Sequence, residues 1–230
     1  MAQTNLNPVF LGRLTFQSEN TYGGAQYVFV KLMGAQKNSY RPTNGGVIQN
    51  PPRNGGHMFQ GDLCEYRIDD KIFLYRTFVA SAVAAADAVS IVLKKDEYKH
   101  VPEIGMVLMK APSTLNGTGA AATITAIAET DTTWTLTLSA AIGALAVNDI
   151  LVEAVEAGAD KEALVKNPNS MLDIDAFFKM PTVATANGKD IGKYAIAPVM
   201  HQIAYTSRMQ PLPASVLAIN RSRVAGWFEL

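Results

Sequence analysis

The chain has 230 residues, which is enough to bury a real core in one or two domains. Lysine plus arginine and aspartate plus glutamate number 20 each, so there is no basic excess of the kind that nucleic-acid-binding proteins show. Charged residues make up only 17% of the chain, against 48% hydrophobic residues. So few charges predict that partners cover part of an apolar surface, and neutrality favours an assembly component over a free enzyme.

The single cysteine, Cys64, excludes an internal disulfide framework. No lysine, arginine or histidine is adjacent to it, so we expect a small buried side chain and not a nucleophile. The N-terminus lacks the charged and apolar regions of a secretory signal, and no window has the roughly 18 apolar residues of a membrane-spanning helix. These features predict synthesis in a cytoplasm and use without export.

Residues 1–60 are predicted to form an N-terminal arm and a loop-rich docking segment. The first 25 residues are polar apart from one apolar cluster, Val9, Phe10 and Leu11, which we interpret as contact residues. Residues 26–33 have the composition of a strand. Residues 38–57 are dense in proline and glycine, which disfavours regular structure and is typical of a long contact loop.

The next segment predicts a hairpin, with residues 61–68 and 72–79 as its arms around the turn Asp69–Asp70–Lys71. The alanine-rich run 80–86 has helix propensity, but it lies between strand-like segments. We therefore interpret it as an extended run followed by a turn. A strand is predicted at residues 89–93.

Residues 105–153 carry the clearest pattern of the chain. In the segment 133–139, Trp134, Leu136 and Leu138 alternate with threonine and serine, which predicts a half-buried antiparallel strand with its threonines facing water. Residues 122–128 read as its hairpin partner, and residues 105–109 and 148–152 as two more strands. Together they predict an antiparallel β-barrel or sandwich module over residues 61–155.

Residues 156–230 predict a mixed, mostly β segment that packs on this module. One helical turn is expected at residues 160–165 and a last strand at residues 216–219. Trp227 and Phe228 lie next to the end of the sequence, where bare aromatic side chains would be a liability. We expect them to pack on their own domain or on a neighbouring subunit.

Candidate chemical groups are few. The three histidines, His57, His100 and His201, lack partners at metal-ligand spacing, so structural or surface roles are favoured. Residues 116–119 look like a fragment of a phosphate loop, but a β-turn fits better because no lysine-bearing helix follows. Asp173 and Asp175 would share one face of a strand and could bind a cation or serve acid–base chemistry, although a solvated edge is favoured. We predict no catalytic residue, no cofactor and no metal.

Three stretches carry a family resemblance: residues 105–119, residues 134–139 and residues 148–153. With the C-terminal residues 222–230, they resemble head fibre proteins of tailed phages that infect Bacteroidetes bacteria, the crAss-like group included. The resemblance extends from about Gly61 to the end of the sequence. It implies a virion protein attached to the major capsid protein, often as a multimer, on the outside of the capsid.

The sequence thus predicts a mainly β protein with small antiparallel barrel or sandwich modules, long loops and little helix. The expected function is that of a head fibre or capsid decoration subunit, not an enzyme. Its expected partners are the major capsid protein and copies of itself, most simply as a trimer, with no nucleic acid and no membrane. The alternative is a carbohydrate- or receptor-binding module on the virion, in which Trp134, Tyr22 or Tyr40 would stack on a host surface glycan. An enzyme built on the two aspartates is a third hypothesis.

Overall fold

The computed structural model describes residues 46–52, 57–58, 62–67, 69, 71–95, 100–172, 176–177, 195–196, 204–205, 210–218 and 227–228. This part of the chain is mainly β, which confirms the predicted fold class. The strands are β1 (Gly46–Ile48), β2 (His57–Met58), β3 (Leu63–Tyr66), β4 (Lys71–Leu74), β5 (Thr77–Val79), β6 (Ser90–Lys94), β7 (Val107–Lys110), β8 (Thr118–Glu129), β9 (Thr133–Leu138), β10 (Ile150–Glu153), β11 (Gly158–Glu162), β12 (Ser170–Met171), β13 (Ala176–Phe177), β14 (Ala195–Ile196), β15 (Ala204–Tyr205) and β16 (Trp227–Phe228). One short helix, α1 (Ala214–Leu217), lies within the described residues.

The largest sheet has seven strands in the order β5–β10–β7–β8–β9–β6, with β11 also paired to β8. The N-terminal half of β8 pairs with β7 and β11, and its C-terminal half pairs with β9. The register of β8 against β9 shifts between Ile124 and Ala126, which marks a bulge. Because bulges bend strands, β8 passes from one layer into the other and the sheet folds back on itself.

The folded sheet is sandwich-like, and it is not closed into a barrel. Its two outermost strands, β5 and β6, meet at one isolated bridge between Ala80 and Leu93. Of the two architectures that the sequence left open, the sandwich is therefore the one observed. The predicted hairpin of β8 and β9 and the strands β7 and β10 are all present in it.

Both faces of the middle strands are covered. Leu108 of β7 and Leu151 of β10 point into the interior of the folded sheet, where they pack with Leu136. Their neighbours Met109 and Val152 point the other way, into a second core. This arrangement explains why these strands read as continuous apolar runs, and each buried side chain contributes about 1.5–3 kcal/mol to the stability of the fold.

The second core is shared with a five-stranded sheet of order β12–β3–β4–β1–β14. The strands of this sheet pair antiparallel except for β1 and β4, which are parallel. Leu63 of β3 and Met171 of β12 supply its contacts to that core. The hairpin predicted around residues 69–71 is confirmed as β3 and β4. Its second arm, however, is two strands in two different sheets, because β4 ends at Leu74 and β5 begins at Thr77.

Arg76 lies at this crossing between the sheets and is 6% exposed. Its Nε and Nη2 donate to the two carboxylate oxygens of Glu153, at 3.0 and 2.9 Å, and its Nη1 lies 3.3 Å from Glu103 Oε1. Asn50, which follows β1, donates through Nδ2 to Glu153 at 2.8 Å and to the carbonyl of Leu74 at 2.9 Å. This group, which we call the ionic junction, therefore ties β10 of the large sheet to the five-stranded sheet.

A second buried polar contact lies beside the junction. The Thr77 amide donates to His100 Nδ1 at 3.0 Å, so this nitrogen carries the lone pair and Nε2 carries the proton. Nε2 lies 3.3 Å from Asp62 Oδ2, and both side chains are buried. His100 thus connects the start of β5 to the segment before β3, which fits the structural role predicted for it.

Two local predictions are wrong. Residues 160–165 are not a helical turn: β11 covers Gly158–Glu162, and Asp160 has a φ of 52°, in the left-handed region that a right-handed helix excludes. Of the strand predicted at residues 216–219, the described residues 216–218 are not extended, because Ala214–Leu217 form α1 directly after its N-cap, Pro213. Val216 of this helix is fully buried in the second core, so packing decides its conformation.

The ionic junction gives the first prediction. Replacing Arg76 with methionine leaves Glu153 buried without its charged partner, and we expect a loss of about 3–5 kcal/mol in the free energy of unfolding. Chemical denaturation followed by circular dichroism measures this loss. Lys161→Met, which removes the exposed pair with Glu156, is the matched control and should not measurably change stability. Equal stability of the two variants would contradict the role of the junction.

Candidate interaction surface

The outer face of the large sheet is built by β6, β9 and the C-terminal half of β8. Register places Ser90, Thr137 and Ala126 in one row across these strands. The next row is Val92, Thr135 and Ala128. Trp134, Leu136 and Leu138 of β9 point to the buried side, so the threonines face outward as predicted. We call this surface the threonine face.

Two loops continue the surface beyond the ends of the strands. Ala84 and Leu145 form an antiparallel bridge with two hydrogen bonds of 3.0 Å, and both side chains are buried. Neighbouring residues of a β-bridge point to the opposite side, so Val83, Ala85, Ala144 and Ala146 share the outer side, and all four are exposed. Val83 is 74% exposed, the highest value among the large apolar residues identified as exposed. We call residues 81–89 and 139–148 the valine loop pair.

Asp149 holds this loop pair in place. Its carboxylate accepts a hydrogen bond from the Ala146 amide at 2.7 Å and lies 2.6 Å from Lys110 Nζ. Its backbone carbonyl accepts from the Ala80 amide at 2.8 Å. The hydrogen bond from Lys110, followed by that from Ala146, lowers the pKa of Asp149 below the ordinary range of a carboxyl group. The exposed valines are therefore presented by fixed backbone.

Charge is nearly absent from these segments. Residues 81–92 contain one charged residue, Asp87, and residues 132–148 contain none, in a chain that carries 40 charged residues (20 basic and 20 acidic). The threonine face, up to Val92 on β6, and the valine loop pair together form what we call the uncharged surface, and Asp87 and the exposed Lys94 at the end of β6 lie at its border. Hydroxyl, methyl and isopropyl groups can be buried against a partner without taking an ion out of water. The surface is suited to contact and not to proton transfer.

The side chains of the residues predicted as contacts are not among those that the structure describes. Val9, Phe10 and Leu11 lie outside the described residues. Trp227 and Phe228 form β16, which pairs in parallel with β15, and only their backbone is described. The prediction that these five residues form an interface stays a prediction.

Trp134 is buried in the interior of the folded sheet, as expected from the alternation of its strand. Lys95 Nζ lies 5.5 Å from the centre of its ring, and Lys95 also pairs with Glu129. A tryptophan enclosed in this way has no free face on which a sugar ring could stack. Trp134 therefore does not support the carbohydrate-binding hypothesis. Tyr22 and Tyr40 lie outside the described residues.

The other candidate groups divide between structural roles and undescribed positions. Cys64 is fully buried, and burial raises the pKa of its thiol, which confirms the expectation of a small core residue. The Gly117 amide donates to the Thr114 carbonyl at 2.9 Å, so residues 114–117 form a turn. Asp173, Asp175 and His201 lie outside the described residues, as does the side chain of His57. The described part of the chain holds no group of three or more His, Cys, Asp or Glu residues arranged for a metal ion.

No protein-family model and no curated protein matches this chain. Within the described ranges, no helix is both long and apolar enough to cross a membrane.

Sequence reasoning did not identify the valine loop pair. Its alanine-rich first half was correctly interpreted as an extended run with a turn, since Ala80 and Ala84 form bridges and a turn follows at residues 86–87. The signal that could have revealed the surface is the uncharged run of residues 132–148. Ala84 and Leu145 are 61 residues apart in the sequence, so no local pattern predicts that they pair.

The Asp149 contacts predict a pH dependence. A carboxyl group whose pKa is lower in the folded state stabilises the fold above its unfolded pKa of about 3.9, and this contribution is lost as the pH falls through the folded value. Asp149→Asn should therefore cost up to about 1 kcal/mol near neutral pH and nothing relative to wild type at about pH 2. Urea denaturation at the two pH values measures this difference. Thr132→Asn, in the exposed turn between β8 and β9, changes no carboxyl group and is the control, whose effect on stability should be equal at the two pH values.

Proposed function

We propose that this chain is a structural, non-catalytic virion protein, a head fibre or capsid decoration subunit bound to the outside of a phage capsid. The observation that carries the proposal is the uncharged surface. A chain whose job is lasting contact benefits from a surface that is inexpensive to desolvate. The cores of protein interfaces are depleted of charged residues in the same way.

The placement of the family-like segments supports this proposal. Residues 105–119 contain β7 and the start of β8, residues 134–139 contain most of β9, and residues 148–153 contain β10. The resemblance therefore falls on the strands of one sheet. This sheet carries the threonine face, and the valine loop pair connects four of its strands, β5 to β6 and β9 to β10. Resemblance and surface point to the same module.

Two kinds of partner follow from the proposal. The major capsid protein would anchor the subunit, and further copies of the chain would cover the remaining apolar surface, most simply in a cyclic trimer. The carbohydrate-binding alternative gains no support from Trp134, whose ring is enclosed in the core.

Cryo-electron microscopy of the virion that contains this chain tests the proposal directly. We expect density for the seven-stranded module on the outer capsid surface. Density only inside the head or only in the tail would contradict it.

The contact role of the valine loop pair can be tested separately by rebinding purified chain to particles that lack it. Val83→Glu places a charge on the uncharged surface, so we expect at least a tenfold loss of occupancy at limiting protein. Val155→Glu is the matched control, because Val155 is also an exposed valine, 55% accessible, but lies in the turn between β10 and β11. Equal binding by both variants, each shown to be folded by circular dichroism, would remove the valine loop pair from the contact.

A further inference from the structure

Within the described residues, the C-terminal half of β8 has a neighbouring strand on one side only. From Ala126 to Glu129 it pairs with β9, whereas β7 and β11 pair with residues of β8 no further along than Thr123. The last hydrogen bond from the β7 side joins the Gly105 amide to the Ile124 carbonyl. Among the described residues, no strand lies along the other side of residues 126–129.

Hydrogen-bond alternation shows which backbone groups face this edge. The Thr130 amide donates to the Thr133 carbonyl, while Thr132 and Leu138 of the neighbouring strand bond toward β6, to Lys95 and Val89. The backbone amides and carbonyls of odd-numbered residues in β9 thus face β8. Their hydrogen-bonding partners in β8 are the even-numbered Ala126 and Ala128. The amides and carbonyls of Ile127 and Glu129 consequently point away from β9, toward the open edge.

Apart from Glu129 at its end, this edge carries no charged side chain and no proline. Thr125, Ala126 and Ala128 are small and exposed, and Ile127 packs inward on the core. Proteins commonly protect an open edge with charge, proline or irregular backbone. Strand β11, which pairs with the N-terminal half of β8, has such protection: Gly158 and Asp160 have positive φ, the register shifts, and Lys161 and Glu162 carry charge.

We propose that residues 125–129 pair with the same residues of a second copy of the chain, antiparallel about a twofold axis. The pairing would join two three-stranded layers, β6–β9–β8, into one continuous six-stranded layer and unite two threonine faces. This twofold pairing is an alternative to the cyclic trimer named under the proposed function, and it does not depend on the capsid role.

Charge placement favours this occupant. Glu129 is the only charged residue of the edge, and Lys95 of the same chain pairs with it. In an antiparallel pair centred on Ile127 or Ala128, Glu129 lies opposite Thr125 or Ile127 of the second copy and not opposite Glu129. A parallel pair would instead bring the two Glu129 residues side by side. An identical strand running antiparallel therefore brings no like charges together, and its small side chains meet others of the same size.

A charge-swap experiment tests the pairing. Light scattering of size-separated protein over a concentration series should give a mass that approaches twice the 24.7 kDa of one chain. Ala126→Lys with Ala128→Lys places like charges opposite one another in either register, so we expect dimerisation to weaken by about tenfold or more. The double variant Ala126→Glu with Ala128→Glu, measured by itself, should show the same weakening of dimerisation. Mixing the two double variants should restore the dimer, which excludes misfolding as the cause.

Ser90→Lys with Thr132→Lys adds the same charge at exposed positions away from the edge and should leave dimerisation unchanged. A monomer at every concentration, a trimer, or a dimer that the lysine pair does not weaken would each overturn the inference. None of these results bears on where the chain lies in a virion, so this inference and the proposed function fail separately.

Discussion

One strand sets the geometry of this protein. β8 runs for 12 residues, and the bulge between Ile124 and Ala126 divides it between two layers of the same sheet. Before the bulge, β8 has a strand on either side and Ala121 and Ala122 are buried on opposite faces. After it, the strand has β9 on one side and presents Ala126 and Ala128 to the outside. The core of the sandwich, the threonine face and the open edge all follow from this one change of direction.

A second constraint holds the two sheets together. The chain leaves the five-stranded sheet at Leu74 and enters the large sheet at Thr77, and the buried Arg76 between them bonds to Glu153 of β10. Replacing both partners of a buried ion pair with apolar residues often leaves the free energy of unfolding unchanged. The junction therefore matters for the placement of the sheets more than for net stability. A bidentate guanidinium–carboxylate contact is directional. It restricts the relative position of the two sheets more strongly than apolar packing does. Asn50 extends that placement to β1.

Sequence patterns predicted what depends on neighbouring residues. The alternation of Trp134, Leu136 and Leu138 with threonine correctly identified a strand, its buried side and its hairpin partner, because each of these is decided within about ten residues. The mainly β class, the hairpin at residues 69–71 and the buried state of Cys64 followed from similarly local features. The predicted surface role of the threonines was also correct.

The errors and omissions involve distant contacts. Asp160 begins what looks like a helical turn, but pairing with the start of β8 holds it at positive φ on an edge strand. Val216 has a strand-like composition, yet it is helical because the second core accepts it there. The valine loop pair and the open edge of β8 arise from pairings between residues far apart in the chain. No local pattern specifies which strand lies beside another, or which edge is left without one.

We propose that partners cover the fixed, uncharged β surface that this charge-poor chain presents. Hydrogen–deuterium exchange of the purified chain, compared with the same chain in the assembled particle, tests that idea most directly. We expect slower exchange on assembly in residues 81–89 and 139–148, with little change in the turn at residues 155–157. Identical exchange of these segments in the free and assembled chain would contradict it.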